Sequence, residues 1–182
     1  TDVVVSGQGA DISFQGTTSA DPPVPAALLE EIRAVPSVEL AMGGVYDELN
    51  AKILTQEGKA VDTQGSPSLG FGIDTRPEYE RFNPLNLLEG RWPSDGTEVV
   101  IDVGTADKEG YKVGDTVEIA TLQPRRPFTI TGLARYGELD SLGSATFSIF
   151  DVATAQELFD REGKFDAISV AGTPGTAPEQ LV

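Results

Sequence analysis

The sequence predicts an α+β fold, with strand–helix–strand units at both ends of the chain and a mostly β region between them. Three observations carry this. The chain opens on Val3, Val4 and Val5, passes through a segment of helical period, and enters a second apolar run at Val38. It closes in the same way, residues 145–150 leading into a helix from Asp151 and then into residues 165–171. Between them, apolar and polar residues alternate in short runs broken by glycine and proline, the pattern of half-buried strands.

Taken in order, the valine strand is interrupted at Ser6-Gly7-Gln8-Gly9, and residues 11–15 continue it through Ile12 and Phe14. Residues 17–25 have a loop composition, and Pro25 fits a first helical turn. Leu28, Leu29, Ile32 and Val35 then share one helix face, and Pro36 ends it. Residues 38–54 supply a strand interrupted near Gly43-Gly44, and Gln56-Glu57-Gly58 turns a hairpin. Leu69, Phe71 and Ile73 alternate as a short strand, followed by a segment mixing charges and aromatics, residues 76–82.

Glycines 90 and 96 bracket a turn around Pro93, and residues 98–103 form a strand. A brief helix, 105–109, stops at Gly110, and the Val113-Gly114-Asp115 turn leads into a strand at 116–121. Residues 127–134 form a strand with mixed faces. Asp151 is a suitable N-cap, Val152, Ala155, Leu158 and Phe159 form that helix's apolar face, and Gly163 stops it.

Bulk properties narrow the function. The 182 residues are enough for one domain or two small ones, and 39% apolar content suits a packed core. A net charge of −16 excludes binding to nucleic acid or an anionic surface, which requires clustered lysine and arginine. The chain has no cysteine and no histidine, which removes thiol nucleophiles, Ser-His-Asp chemistry, disulfides and the usual zinc sites. There is no signal peptide and no run of about twenty apolar residues. The ends, Thr1 and a polar, proline-rich tail, read as cut from a membrane protein or a trimmed secreted one.

Carboxylates are the catalytic groups left. Glu98 and Asp102 flank an apolar triplet and would share a strand face as an acid/base pair; the simpler account has them capping or flanking a strand at the surface. Asp102, Asp107, Glu109 and Asp115 lack the spacing of a calcium loop. Gly7-Gln8-Gly9 lacks the third glycine and the following helix of a dinucleotide turn. Ser6, Ser13, Ser141 and Ser144 have no activating partner. Arg125-Arg126 reads as a solvated hairpin pair. Two groups qualify as partner contacts: Phe71, Tyr79 and Phe82, with Trp92 nearby, and the loop residues Tyr136, Leu139 and Leu142. For the first group, edge packing of the core is the competing account.

The order GRWP (90–93), EVVID (98–102) and GYKVGDTVEI (110–119), then FTITGLA (128–134) and FSIFDVATAQELF (147–159), resembles the extracytoplasmic, or periplasmic core, domain of MacB/FtsX-like ABC transporter permeases. The resemblance spans residues 72–170 well and the N-terminal part more loosely. It implies a mixed α/β, porter-like part built from residues 1–51 and 143–182, with a β-rich part inserted at 52–142. It also implies a non-catalytic domain without cofactor, on the extracytoplasmic face of the membrane as part of an integral membrane protein. A separate cytoplasmic ATPase subunit would drive it, a second permease copy would accompany it, and an extracytoplasmic protein or peptide would be its substrate. Two other classes compete with this reading, a secreted acidic binding module and a carboxylate-based hydrolase using Glu98 and Asp102.

Overall fold

The structure, a computed structural model, describes residues 1–7, 21–138, 143–178 and 181. The opening unit consists of β1 (Val3–Val5), β2 (Val24–Pro25), α1 (Ala27–Arg33) and β3 (Val38–Asp47). The strand expected at residues 11–15 lies outside the described residues. Helix α1 buries Leu29 and half-buries Leu28 and Ile32, but Val35 is 43% exposed. The helix ends at Arg33, and Pro36 disfavours helical geometry at the residue before it, so Val35 leaves the apolar stripe. The break expected at Gly43-Gly44 is also absent, because β3 runs through both glycines. A Cβ on Gly43 would lie 2.5 Å from the Phe165 ring, and one on Gly44 would meet the Tyr46 ring, so these glycines make room for aromatics.

The middle of the chain gives β4 (Lys52–Ile53), β5 (Ser68–Gly72), a 3-10 helix (Pro77–Phe82), β6 (Leu85–Gly90), β7 (Glu98–Asp102), α2 (Val103–Glu109), β8 (Thr116–Ala120) and β9 (Arg126–Tyr136). The hairpin after β4 closes through a Leu54–Ala60 bridge around Gly58, whose φ is 76°. Strand β6 was not expected, since a bulge between Leu87 and Glu89 breaks its alternation. Gly110 stops α2 in the left-handed conformation, φ 76°.

The closing unit is β10 (Thr146–Phe150), α3 (Val152–Leu158), β11 (Lys164–Phe165) and β12 (Ala167–Gly172). Asp151 caps α3 by accepting from the Thr154 amide at 3.1 Å. The single strand expected over 165–171 divides at Asp166, whose carboxylate accepts from the Tyr46 amide at 2.9 Å and from Arg161 Nε at 2.8 Å.

Ten of these strands form one mixed sheet, ordered β1-β12-β3-β5-β10-β7-β9-β8-β4, with β6 attached to β9. The β5–β10 and β7–β9 pairs are parallel, and the other pairs in the sheet are antiparallel. The main core includes Ile101, Phe128, Phe150, Leu158, Phe159 and Ile168, with apolar residues of all three α-helices packed in it or against it. Alternation along the strands sends their other residues to the opposite face, which carries two smaller clusters. One gathers Ile73, Leu85, Val100, Phe147 and Ile149; the other gathers Met42, Tyr79, Phe82 and Ala171. The α+β class read from the sequence is the class observed.

Candidate interaction groove

The 3-10 helix rests on that second face. Arg76 before it is extended and Pro77 occupies its first turn, where a missing N–H costs nothing. Tyr79 and Phe82 are each 7% exposed, stack at 6.4 Å, and pack on Met42 and Ala171. One guanidinium pins the helix to the sheet: Arg33 donates to the Tyr79 hydroxyl at 3.0 Å and to the Ala41 carbonyl at 3.0 and 3.2 Å. Pro77, Glu78, Glu80 and Arg81 are left facing solvent.

Between this helix and β6 runs a groove of about 410 Å³. Pro77, Leu85, Leu87 and Trp92 give it apolar lining, and Asn83, Asn86, Asp74 and Glu80 give it polar lining. Asp74 is bound by Arg76 at 2.6 and 3.0 Å. Burial pushes its pKa up, but the Arg76 hydrogen bonds outweigh burial and hold the carboxyl below its ordinary value. Glu80 has no side-chain partner among the described residues, and no cation lines the groove.

Trp92 is fixed by the turn that carries it. Gly90 adopts φ 79°, and a Cβ there would strike the Thr131 carbonyl, which instead accepts from the Arg91 amide at 2.9 Å. Arg91 binds Glu98 through both terminal nitrogens, one at 2.7 Å, and Ser94 donates to the same carboxylate from its amide at 2.9 Å. The Arg91 hydrogen bonds bring the Glu98 pKa down to about 2.

The residues singled out from the sequence divide by position. Phe71 is half-buried, edge-on between Tyr46 and Phe147 with centroids 6.1 Å apart on each side. Tyr136 ends β9 opposite Leu85 and is 38% exposed. Tyr79 and Phe82 lie beneath the groove and do not line it, while Leu139 and Leu142 are outside the described residues. Sequence reasoning passed over Leu85, Leu87, Asn83 and Asn86, since the bulged β6 shows no clean period; the Asn83-Pro84 turn signal was the available clue.

Glu98 and Asp102 do not form a pair. Asp102 is 3% exposed, not at the surface, because it caps α2. It accepts from the Thr105 amide at 2.7 Å and the Phe147 amide at 3.0 Å, and burial pushes its pKa up. No group of three or more acidic residues is placed to hold a metal among the described residues. Asp115 accepts from the Lys112 amide at 2.9 Å in the expected turn, with Gly114 at φ 98°. Arg125 pairs with Glu118 at 3.6 Å, and Arg126, which is already in β9, pairs with Glu157 at 3.0 Å. Ser6 donates to Asp21 at 3.0 Å.

The first and last strands meet. β1 and β12 are antiparallel neighbours, the Asp2 amide donates to the Val170 carbonyl at 2.9 Å, and the Gly172 amide donates to the Asp2 carboxylate at 2.9 Å. No helix among the described residues is long and apolar enough to cross a membrane.

The MacB-like periplasmic core domain model matches residues 1–182. No curated protein matches the chain. Among solved structures it is similar to the periplasmic region of MacB from Actinobacillus actinomycetemcomitans, with TM-score 0.61 and 14% identity over 95% of this chain and 74% of that one. It is also similar to the extracellular domain of the noncanonic ABC-type transporter YknZ from Gram-positive bacteria, with TM-score 0.59 and 14% identity over 84% and 75%. A domain of a permease protein from Porphyromonas gingivalis matches with TM-score 0.60 and 21% identity over 87% and 73%. The chain belongs to the MacB-like periplasmic core domain family and is the extracytoplasmic domain of a MacB-like ABC transporter permease.

Proposed function

We propose that this domain is non-catalytic and transmits ATP-driven movement of its permease to a protein or peptide outside the membrane. The pairing of the first and last strands, β1 and β12, carries this reading. Segments leaving β1 and β12 start side by side, so a shift between the membrane segments attached to them acts on one edge of the sheet. Strand β12 pairs with β3, β3 pairs with β5, and Arg33 joins the β3 backbone to Tyr79 under the groove. In this reading residues 1–51 and 143–182 form the part attached to the membrane, and residues 52–142, which carry the groove, form the part that engages the partner. A cytoplasmic ATPase subunit supplies the movement, a second permease copy shares it, and Phe71 and Tyr136 extend the contact surface beside the groove.

Amide hydrogen exchange tests this in the full-length permease with its ATPase. ATP binding is expected to change exchange both in β12 and in residues 77–82, relative to the ADP state. A change in β12 with none at 77–82 would break the proposed link.

A further inference from the structure

Resting on that reading, we propose that the groove between the 3-10 helix and β6 takes an extended segment of the partner carrying a lysine or arginine between apolar residues. Pro77, Leu85, Leu87 and Trp92 offer apolar contact, which an extended chain fills with alternate side chains. Strand β6 pairs with β9 alone, leaving its other edge free among the described residues for main-chain hydrogen bonds. Leu88 on the same strand is 46% exposed.

Charge selects the occupant. The groove is lined by two carboxylates and no cation. Asp74 is already compensated by Arg76 at 2.6 Å, whereas Glu80 is not compensated. An arriving cation therefore finds its counter-charge at Glu80. The chain's net −16 attracts such a segment at a distance and repels an acidic one.

Trp92 is the single tryptophan and lines the groove, so its fluorescence reports occupancy. The probe is an acetylated, amidated pentapeptide of alternating leucine and lysine, compared with one of leucine and glutamate. The lysine peptide is expected to shift Trp92 emission saturably. Glu80→Gln, an exposed change that leaves the fold intact, should weaken it about three- to tenfold at low salt, and Glu57→Gln in the β4 hairpin should leave it unchanged. No saturable shift, equal binding of the glutamate peptide, or an unaltered midpoint in Glu80→Gln would overturn the proposal. This titration needs no ATPase, so its failure alongside ATP-dependent exchange at 77–82 rejects the partner chemistry and leaves transmission standing. Peptide binding without that exchange does the reverse.

Discussion

Glu98 and Asp102 sit on the same strand and have pKa values displaced in opposite directions, because one meets a guanidinium and the other meets the core. The Glu98 pKa, about 2, is depressed, so its contribution to stability is present above the ordinary carboxylate value and is lost as pH falls towards 2. Arg91 is largely exposed, so solvent screening keeps the contribution of the pair small at neutral pH. Glu98→Gln should therefore lower the urea midpoint at pH 7 and differ little from the parent at about pH 2; an equal loss at both would place the effect elsewhere. Asp102 has a raised pKa, so the folded state holds its proton more tightly and stability falls as pH rises from the ordinary carboxylate range through the raised value. Asp102→Asn should flatten that slope. Asp102→Ala orphans the buried Thr105 and Phe147 amides and should cost about 2–4 kcal/mol in urea unfolding. Both residues stood out in the sequence as candidate acids; their separate partners did not, because Arg91 and Phe147 reach them across a turn and a neighbouring strand.

At the scale of elements, the helices were legible and part of the sheet was not. Asp102 and Asp151 cap their helices and Gly110 turns left-handed beyond α2, all on local chemistry that a sequence displays. The stop expected at Gly163 comes earlier, since α3 ends at Leu158 and Asp160 turns left-handed at φ 55°. Strand β6 and the role of the β3 and β5 glycines depend on what packs against them. Gly72 lies under α3, where a Cβ would overlap that of Ala155 and approach that of Val45 at 3.2 Å. Gly72→Ala should destabilise the domain by about 1–3 kcal/mol, read from the urea midpoint, by forcing α3 off β5. Arg33→Ala removes the contact from α1 to Tyr79, and amide exchange over residues 77–82 should accelerate while that of α3 stays unchanged. The groove was legible only in part: its Trp92 and the aromatic segment beside it were visible, while Leu85 and Leu87 were hidden by the bulge.

Over the whole molecule, the sheet interleaves distant segments. β5 lies between β3 and β10, and β7 between β10 and β9, pairings that no local pattern encodes. What the chain did display was the ordered run from Gly90 to Ile119, whose turn and cap residues are now explained by position: Gly90 against Thr131, Arg91 on Glu98, Asp102 under α2, Asp115 in its turn. That run marks the family, and the neighbouring 74–87 segment forms most of the groove. The central claim is that movement entering at β1 and β12 when the ATPase turns over reaches the part of the chain that holds the groove. The 182 residues hold no cysteine, so once any cysteine elsewhere in the full-length permease and its ATPase is replaced, spin labels placed by Glu31→Cys on exposed α1 and Asp107→Cys on exposed α2 report the distance between the two parts. The account predicts that the distance distribution measured by electron spin resonance shifts between the ADP and ATP-bound states, and superimposable distributions in the two states would contradict it.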